Sequence, residues 1–193
     1  ARAHGGRHGG VRARRHGGGK ADHVRIQREI VALHCTRHPH VCAFVGWCML
    51  TDTICAIVTE LCAGDVFSRV EAGPVVERDI HAWMYGVVQA VAHMHQKGLV
   101  HCDIKLENLM LCYDGTCKLI DFGLVNQHNA GSSHYYAPEV SSTLCVTPSR
   151  DIWSIGICLF VCATKFFPFY EASRRDRRFV HILEARSGDD VPR

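Results

Sequence analysis

The chain has 193 residues, 47% of them apolar and 21% charged, which suits one domain or a small lobe joined to a larger one. Its net charge of +3 is uneven, because residues 1–30 carry eight Arg or Lys against Asp22 and Glu29 and leave the remainder mildly acidic. Eleven cysteines without a Cys-x-x-Cys pair argue against a zinc or disulfide framework, and the apolar run 152–163 is too short to span a bilayer.

In chain order, the first segment repeats His-Gly-Gly and Arg and has too little apolar surface to fold. Residues 1–21 are therefore expected to form a disordered basic tail. RNA binding by its charge alone ranks behind a plain low-complexity flank. From Asp22 to His34, Val24, Ile26, Ile30, Val31 and Leu33 predict a helix that carries Glu29, and His38-Pro39-His40 ends it. Strand-like stretches follow over 41–50 and 53–59, with a turn at Thr51-Asp52, then a short linker over 60–65.

Residues 74–97 give the clearest helix, with the stripe Ile80, Met84, Val87, Val88, Val91 and Met94, closed by Gly98. Short strands around 109–112 and 117–120 flank the hairpin turn Tyr113-Asp114-Gly115. A loop follows Asp121, then a buried helix near Ile152 and an amphipathic helix at the Arg-rich end. The order is helix, strands, linker, then mostly helices, an α+β arrangement.

The chemistry concentrates in His101-Cys102-Asp103-Ile104-Lys105-Leu106-Glu107-Asn108 and in Asp121-Phe122-Gly123. An Asp, a Lys and an Asn at fixed offsets, followed by a second Asp, are the inventory of phosphoryl transfer: a base, a cation for phosphate and two oxygen ligands for Mg²⁺. Ala137-Pro138-Glu139 and Asp151-Ile152-Trp153 follow in order.

With these motifs the chain resembles the eukaryotic protein kinases of Ser/Thr type, most nearly the calcium/calmodulin-dependent and AMP-activated-like groups. The resemblance covers about residues 24–185 and implies a bilobal protein-kinase-like fold: a partial small β-rich lobe over 22–62 and a truncated, mostly helical large lobe over 63–193. It implies ATP and Mg²⁺ as cofactors and a protein as substrate. Asp103 would be the catalytic base and Lys105 the γ-phosphate contact, with Asn108 and Asp121 as Mg²⁺ ligands. Glu29 would pair with an ATP-anchoring Lys, Thr59 would back the adenine pocket, Glu60 to Cys62 would be the hinge, and Asp65 would lie near the ribose. Ser132 would shape the substrate loop, and Asp151 would brace the catalytic loop.

Departures from the family pattern bear on activity. Cys102 replaces the Arg that usually receives an activation-loop phosphate. Neither a glycine-rich phosphate loop nor Val-Ala-x-Lys precedes the first helix; Lys20, nine residues before Glu29, reads as a tail lysine. The Arg that usually pairs with Glu139 is missing too, which would leave that carboxylate unpaired. The chain is thus expected to be a kinase catalytic domain incomplete at both ends, transferring phosphate to protein Ser/Thr hydroxyls. The rival reading is an inactive pseudokinase acting as scaffold or regulator. Free thiols and the lack of a secretory leader predict a cytoplasmic protein with no membrane span.

Overall fold

The computed structural model describes residues 9–15, 20–51, 54–128, 131–141 and 145–187. The first unit is a three-stranded antiparallel sheet in the order β1-β3-β2: β1 (Gly9–Arg15), β2 (Phe44–Thr51) and β3 (Ile54–Glu60). Helix α1 (Lys20–Cys35) packs beside it.

Strand β1 overturns part of the expected tail. Gly9–Arg15 runs antiparallel to β3 in unbroken register, from Gly9 opposite Glu60 to Arg15 opposite Ile54. Two glycines and three arginines have little strand propensity. The pairing follows from β3, whose buried Cys55, Ala56 and Ile57 make it the central strand and whose second edge needs a partner. Residues 1–8 and 16–19 of the expected tail lie outside the described residues, as does Asp52 of the expected turn. Lys20 belongs to α1, not to a tail. Nine helical residues put its backbone about 13 Å along the axis from Glu29.

The second unit is helical around a small sheet. The linker expected over 60–65 contributes β4 (Gly64–Asp65), which pairs with β5 (Leu109–Leu111), itself paired with β6 (Cys117–Leu119). The hairpin turn forms as expected, with Gly115 at φ +84° and the Asp114 carboxylate accepting the Thr116 N–H. The units are laced together where the Cys42 N–H donates to the Leu119 carbonyl and the Leu119 N–H to that of His40.

Helix α2 (Val66–Glu71) leads into α3 (Glu77–Gln96), which buries Ile80, Trp83, Met84, Val87, Ala90, Val91 and Met94 at helical spacing. Val88, expected in that stripe, is exposed; Ala90 and Trp83 fill its place on the buried face. Glu77 and Asp79 suit the N-terminal end of the helix dipole, and Gly98 at φ +71° closes the helix.

Helix α4 (Ser149–Thr164) is buried through Asp151, Ser154, Ile155, Cys158, Val161 and Cys162. Trp153, Phe169 and Phe179 stack in turn and hold α5 (Arg177–Ser187) against it. No described helix is long and apolar enough to cross a membrane.

Candidate active site

The stretch 100–108 has little regular structure, and its shape comes from buried side chains. Asp151 of α4 is the main anchor. Its Oδ2 accepts the His101 backbone N–H at 2.8 Å and the His95 Nε2–H at 2.8 Å, and its Oδ1 accepts the Cys102 N–H at 2.9 Å. Cys102 is thereby held at φ +70°, a conformation that costs a non-glycine residue energy. The fully buried His101 ring donates from Nε2 to the Ile120 carbonyl and accepts the Asp103 N–H at Nδ1, which fixes one tautomer. The bracing role expected of Asp151 matches these bonds.

Three polar side chains then close a ring, and a fourth bonds to one of them. Lys105 Nζ lies 3.0 Å from Asp103 Oδ2 and donates to Ser132 Oγ at 2.9 Å. Ser132 Oγ–H donates to Asp103 Oδ1 at 3.2 Å. The Asn108 amide N–H₂ donates both to the Asp103 carbonyl at 2.8 Å and to its Oδ2 at 3.0 Å. Asp103 is thus a buried carboxylate oriented by a cation, a hydroxyl and an amide. Gly131 permits the closure: at φ +116°, an added Cβ would fall 2.4 Å from the Cys102 carbonyl oxygen.

Asp121 lies across a narrow cavity lined by Glu29, Leu33, Cys42, Ile57, Thr59, Ile120 and Asp121 itself. Its backbone is left-handed (φ 69°, ψ 73°), and its Oδ1 accepts the Gly123 N–H. Phe122 is fully buried, edge-on to His101 at 5.2 Å, and α1 packs on this turn. Glu29 is therefore brought to Asp121 as a buried carboxylate, not left on a solvated helix face.

Other expected residues have different duties. The Glu60 carboxylate accepts the Ala43 N–H at 2.7 Å and the Lys118 ammonium at 2.6 Å, so what 60–62 can offer a ligand is backbone. The Asp65 carboxylate caps α2 by accepting the Ser68 N–H and hydroxyl. Glu139 accepts the Ser149 hydroxyl at 3.1 Å, so the unpaired carboxylate expected there is corrected. Sequence reasoning missed Arg150, a buried guanidinium that donates to the Gln127 carbonyl beneath the segment after Asp121. It also missed strand β1, whose register sets the Arg12 backbone opposite Ile57, a cavity-lining residue.

Residues 12–190 match the Protein kinase domain family. The chain belongs to that family. Among its relatives are Serine/threonine-protein kinase kin-29 of Caenorhabditis briggsae, 33% identical over 81% of this chain and 20% of that protein. NUAK family SNF1-like kinase 2 of Rattus norvegicus is 32% identical over 77% of this chain and 25% of its own length. CBL-interacting serine/threonine-protein kinase 24 of Arabidopsis thaliana is 34% identical over 76% and 35%. The chain thus spans about a seventh to a third of the curated relatives it matches.

The donor atoms of this kinase-family site fit the cation that such chemistry uses. Both amide bonds of Asn108 use its N–H₂, so Oδ1 is the atom it would offer, and Asp121 adds a carboxylate. Two hard oxygen donors suit Mg²⁺ that keeps its remaining shell for phosphate and water.

Proposed function

We propose that this chain transfers the γ-phosphoryl group of Mg·ATP to Ser or Thr hydroxyls of a protein. The observation that carries the reading is the closed ring of Asp103, Lys105 and Ser132, with Asn108 bonded to Asp103 and the loop held by Asp151. Asp103, its Oδ atoms oriented by that ring, accepts the proton of the incoming hydroxyl. Lys105 supplies a positive charge beside it. Asn108 and Asp121 would hold Mg²⁺, which bound with ATP offsets the charge on the transferring phosphoryl group. The backbone of 60–62 would carry the adenine. Asp65 caps α2 through both carboxylate oxygens and keeps lone pairs that would meet the ribose.

Arg12 is the candidate for the phosphate-anchoring cation in place of the expected lysine, supported by its register opposite Ile57 and by the presence of Glu29 in the same cavity. The names of the relatives support Ser/Thr specificity. Eleven cysteines without a Cys-x-x-Cys pair support a place in the reducing cytoplasm. RNA capture by the basic segment forms no part of this reading.

The test combines binding with turnover. Mg·ATP should raise the melting temperature of the chain and not of Asp121→Ala. Asp103→Asn should retain that shift and lose about 10²-fold or more of the phosphorylation rate on Ser/Thr peptides. Equal rates for the chain and Asp103→Asn would end the proposal.

A further inference from the structure

Three thiols from separate parts of the chain meet beside the Glu60–Lys118 ion pair. Cys42 precedes β2, Cys62 lies in the linker between β3 and β4, and Cys112 follows β5. The Cys62 and Cys112 sulfurs are 3.8 Å apart. Cys42 Sγ–H donates to the Glu60 carbonyl. Cys42 is buried, whereas Cys62 and Cys112 are partly open to solvent.

The backbone under the pair is already set. The Ala63 N–H donates to the Leu111 carbonyl at 2.7 Å, and Gly64 stands opposite Leu111 in the β4–β5 register. Cys112 is fixed by the hairpin, its N–H donating to the Thr116 carbonyl and its carbonyl accepting the Gly115 N–H. A disulfide needs the sulfurs to close to about 2 Å, a movement within reach of side-chain rotation between strands already paired.

We propose that Cys62 and Cys112 are an oxidisable pair that a hydroperoxide converts to a disulfide, tying the linker after β3 to the end of β5. One thiolate attacks a peroxide oxygen, the O–O bond breaks, and the departing oxide takes a proton to leave as water or an alcohol. The sulfenic acid so formed is attacked by the other thiol; the S–S bond forms, the S–O bond breaks, and water leaves. Two thiols and one hydroperoxide thus give one disulfide, one alcohol or water, and one further water. The sulfurs lose the two electrons that the peroxide gains.

The surroundings set the pace. Interaction with Cys42, then burial, push the Cys62 thiol up, and burial pushes Cys112 up although the Cys62 contact and Lys118 pull it down. Both thiols are protonated at neutral pH, so the reaction is slow there and quickens as pH rises. Its consequence for nucleotide rests on the proposed function. The cross-link would fasten the strip expected to carry adenine and weaken Mg·ATP binding about tenfold.

The full chain is exposed to graded hydrogen peroxide at pH 7 and pH 8.5, quenched by alkylation, and mapped by mass spectrometry without reduction. A peptide joining Cys62 to Cys112 is expected, formed faster at pH 8.5, lost on dithiothreitol treatment, and absent in Cys62→Ser and Cys112→Ser. Persistent alkylation of Cys62 and Cys112 at a dose that oxidises the exposed Cys48 and Cys145 would overturn the proposal. So would a bridge that excludes either residue. Mg·ATP affinity is read on the same samples. A bridged chain with unchanged affinity would overturn the effect on nucleotide. Failure of the reduced chain to bind Mg·ATP would count against the kinase reading and leave the mass-spectrometric result to decide the pair.

Discussion

Asp151 Oδ1 accepts the backbone N–H of Cys102 at 2.9 Å, and that bond, with the one to His101, turns the chain at a left-handed Cys102 so that Asp103 faces Lys105 and Ser132. One buried carboxylate on α4 thus sets the backbone of the whole loop. Asp151→Asn keeps an oxygen for one donor but turns an N–H₂ toward another. Hydrogen bonds to a charged acceptor contribute about 1.5–3 kcal/mol each. Asp151→Asn is expected to lower the melting temperature and cut the rate tenfold or more, with a smaller change in Mg·ATP affinity. Thermal unfolding and single-turnover kinetics on the same preparation check this.

Gly131 should tolerate no side chain. Its φ of +116° is strained for any L residue, and a Cβ would press on the Cys102 carbonyl oxygen at 2.4 Å, a backbone atom that Asp151 prevents from yielding. Gly131→Ala should cost about 1–3 kcal/mol of stability from backbone strain alone. The larger loss should be in activity, because Ser132 would leave Asp103 and Lys105. Denaturant unfolding gives the first effect. Comparison with Ser132→Ala, which removes the hydroxyl without moving the loop, isolates the second.

What was legible in the sequence follows from how local each determinant is. Asp103, Lys105 and Asn108 sit within six residues of one another, so their mutual placement is a property of one loop and could be read from spacing. The same holds for α3, whose apolar period is intrinsic. Strand β1 was not legible because nothing in Gly-Gly-Val-Arg-Ala-Arg-Arg favours a strand; the edge of β3, more than forty residues on, supplies its partner. The structural bonds of Asp65 and Glu60 were not legible for a related reason. Asp65 also caps α2 through Ser68, three residues on. Glu60 holds Lys118, a partner distant in sequence that spacing could not show.

Arg12 and Arg14 offer an internal control for the anchoring cation. They stand two residues apart on β1, opposite Ile57 and Cys55, and only Ile57 lines the cavity shared by Glu29 and Asp121. Arg12→Met is expected to weaken Mg·ATP binding about tenfold, which corresponds to about 1.4 kcal/mol. Arg14→Met should leave it within twofold. Equal effects from both, measured by calorimetric titration, would assign the contribution to the general charge of β1 and remove Arg12 from the site.

Stability should fall on mild acidification, and His38 is one source. Its ring stacks on His93 at 5.3 Å and lies 5.8 Å from His40, which is itself bonded through Nδ1 to the Cys117 carbonyl group. Burial, then repulsion from His93 and His40, hold the His38 pKa below its ordinary value. Because the folded pKa lies below the unfolded value of about 6.5, the unfolded chain binds more protons in the interval between them. The contribution is therefore complete above about pH 6.5 and is lost as pH falls toward the folded pKa. Melting temperatures should drop between pH 7.5 and pH 5.5, and His38→Gln should flatten that slope while leaving the pH 7.5 value nearly unchanged. A variant with the parent slope would remove His38 as a contributor.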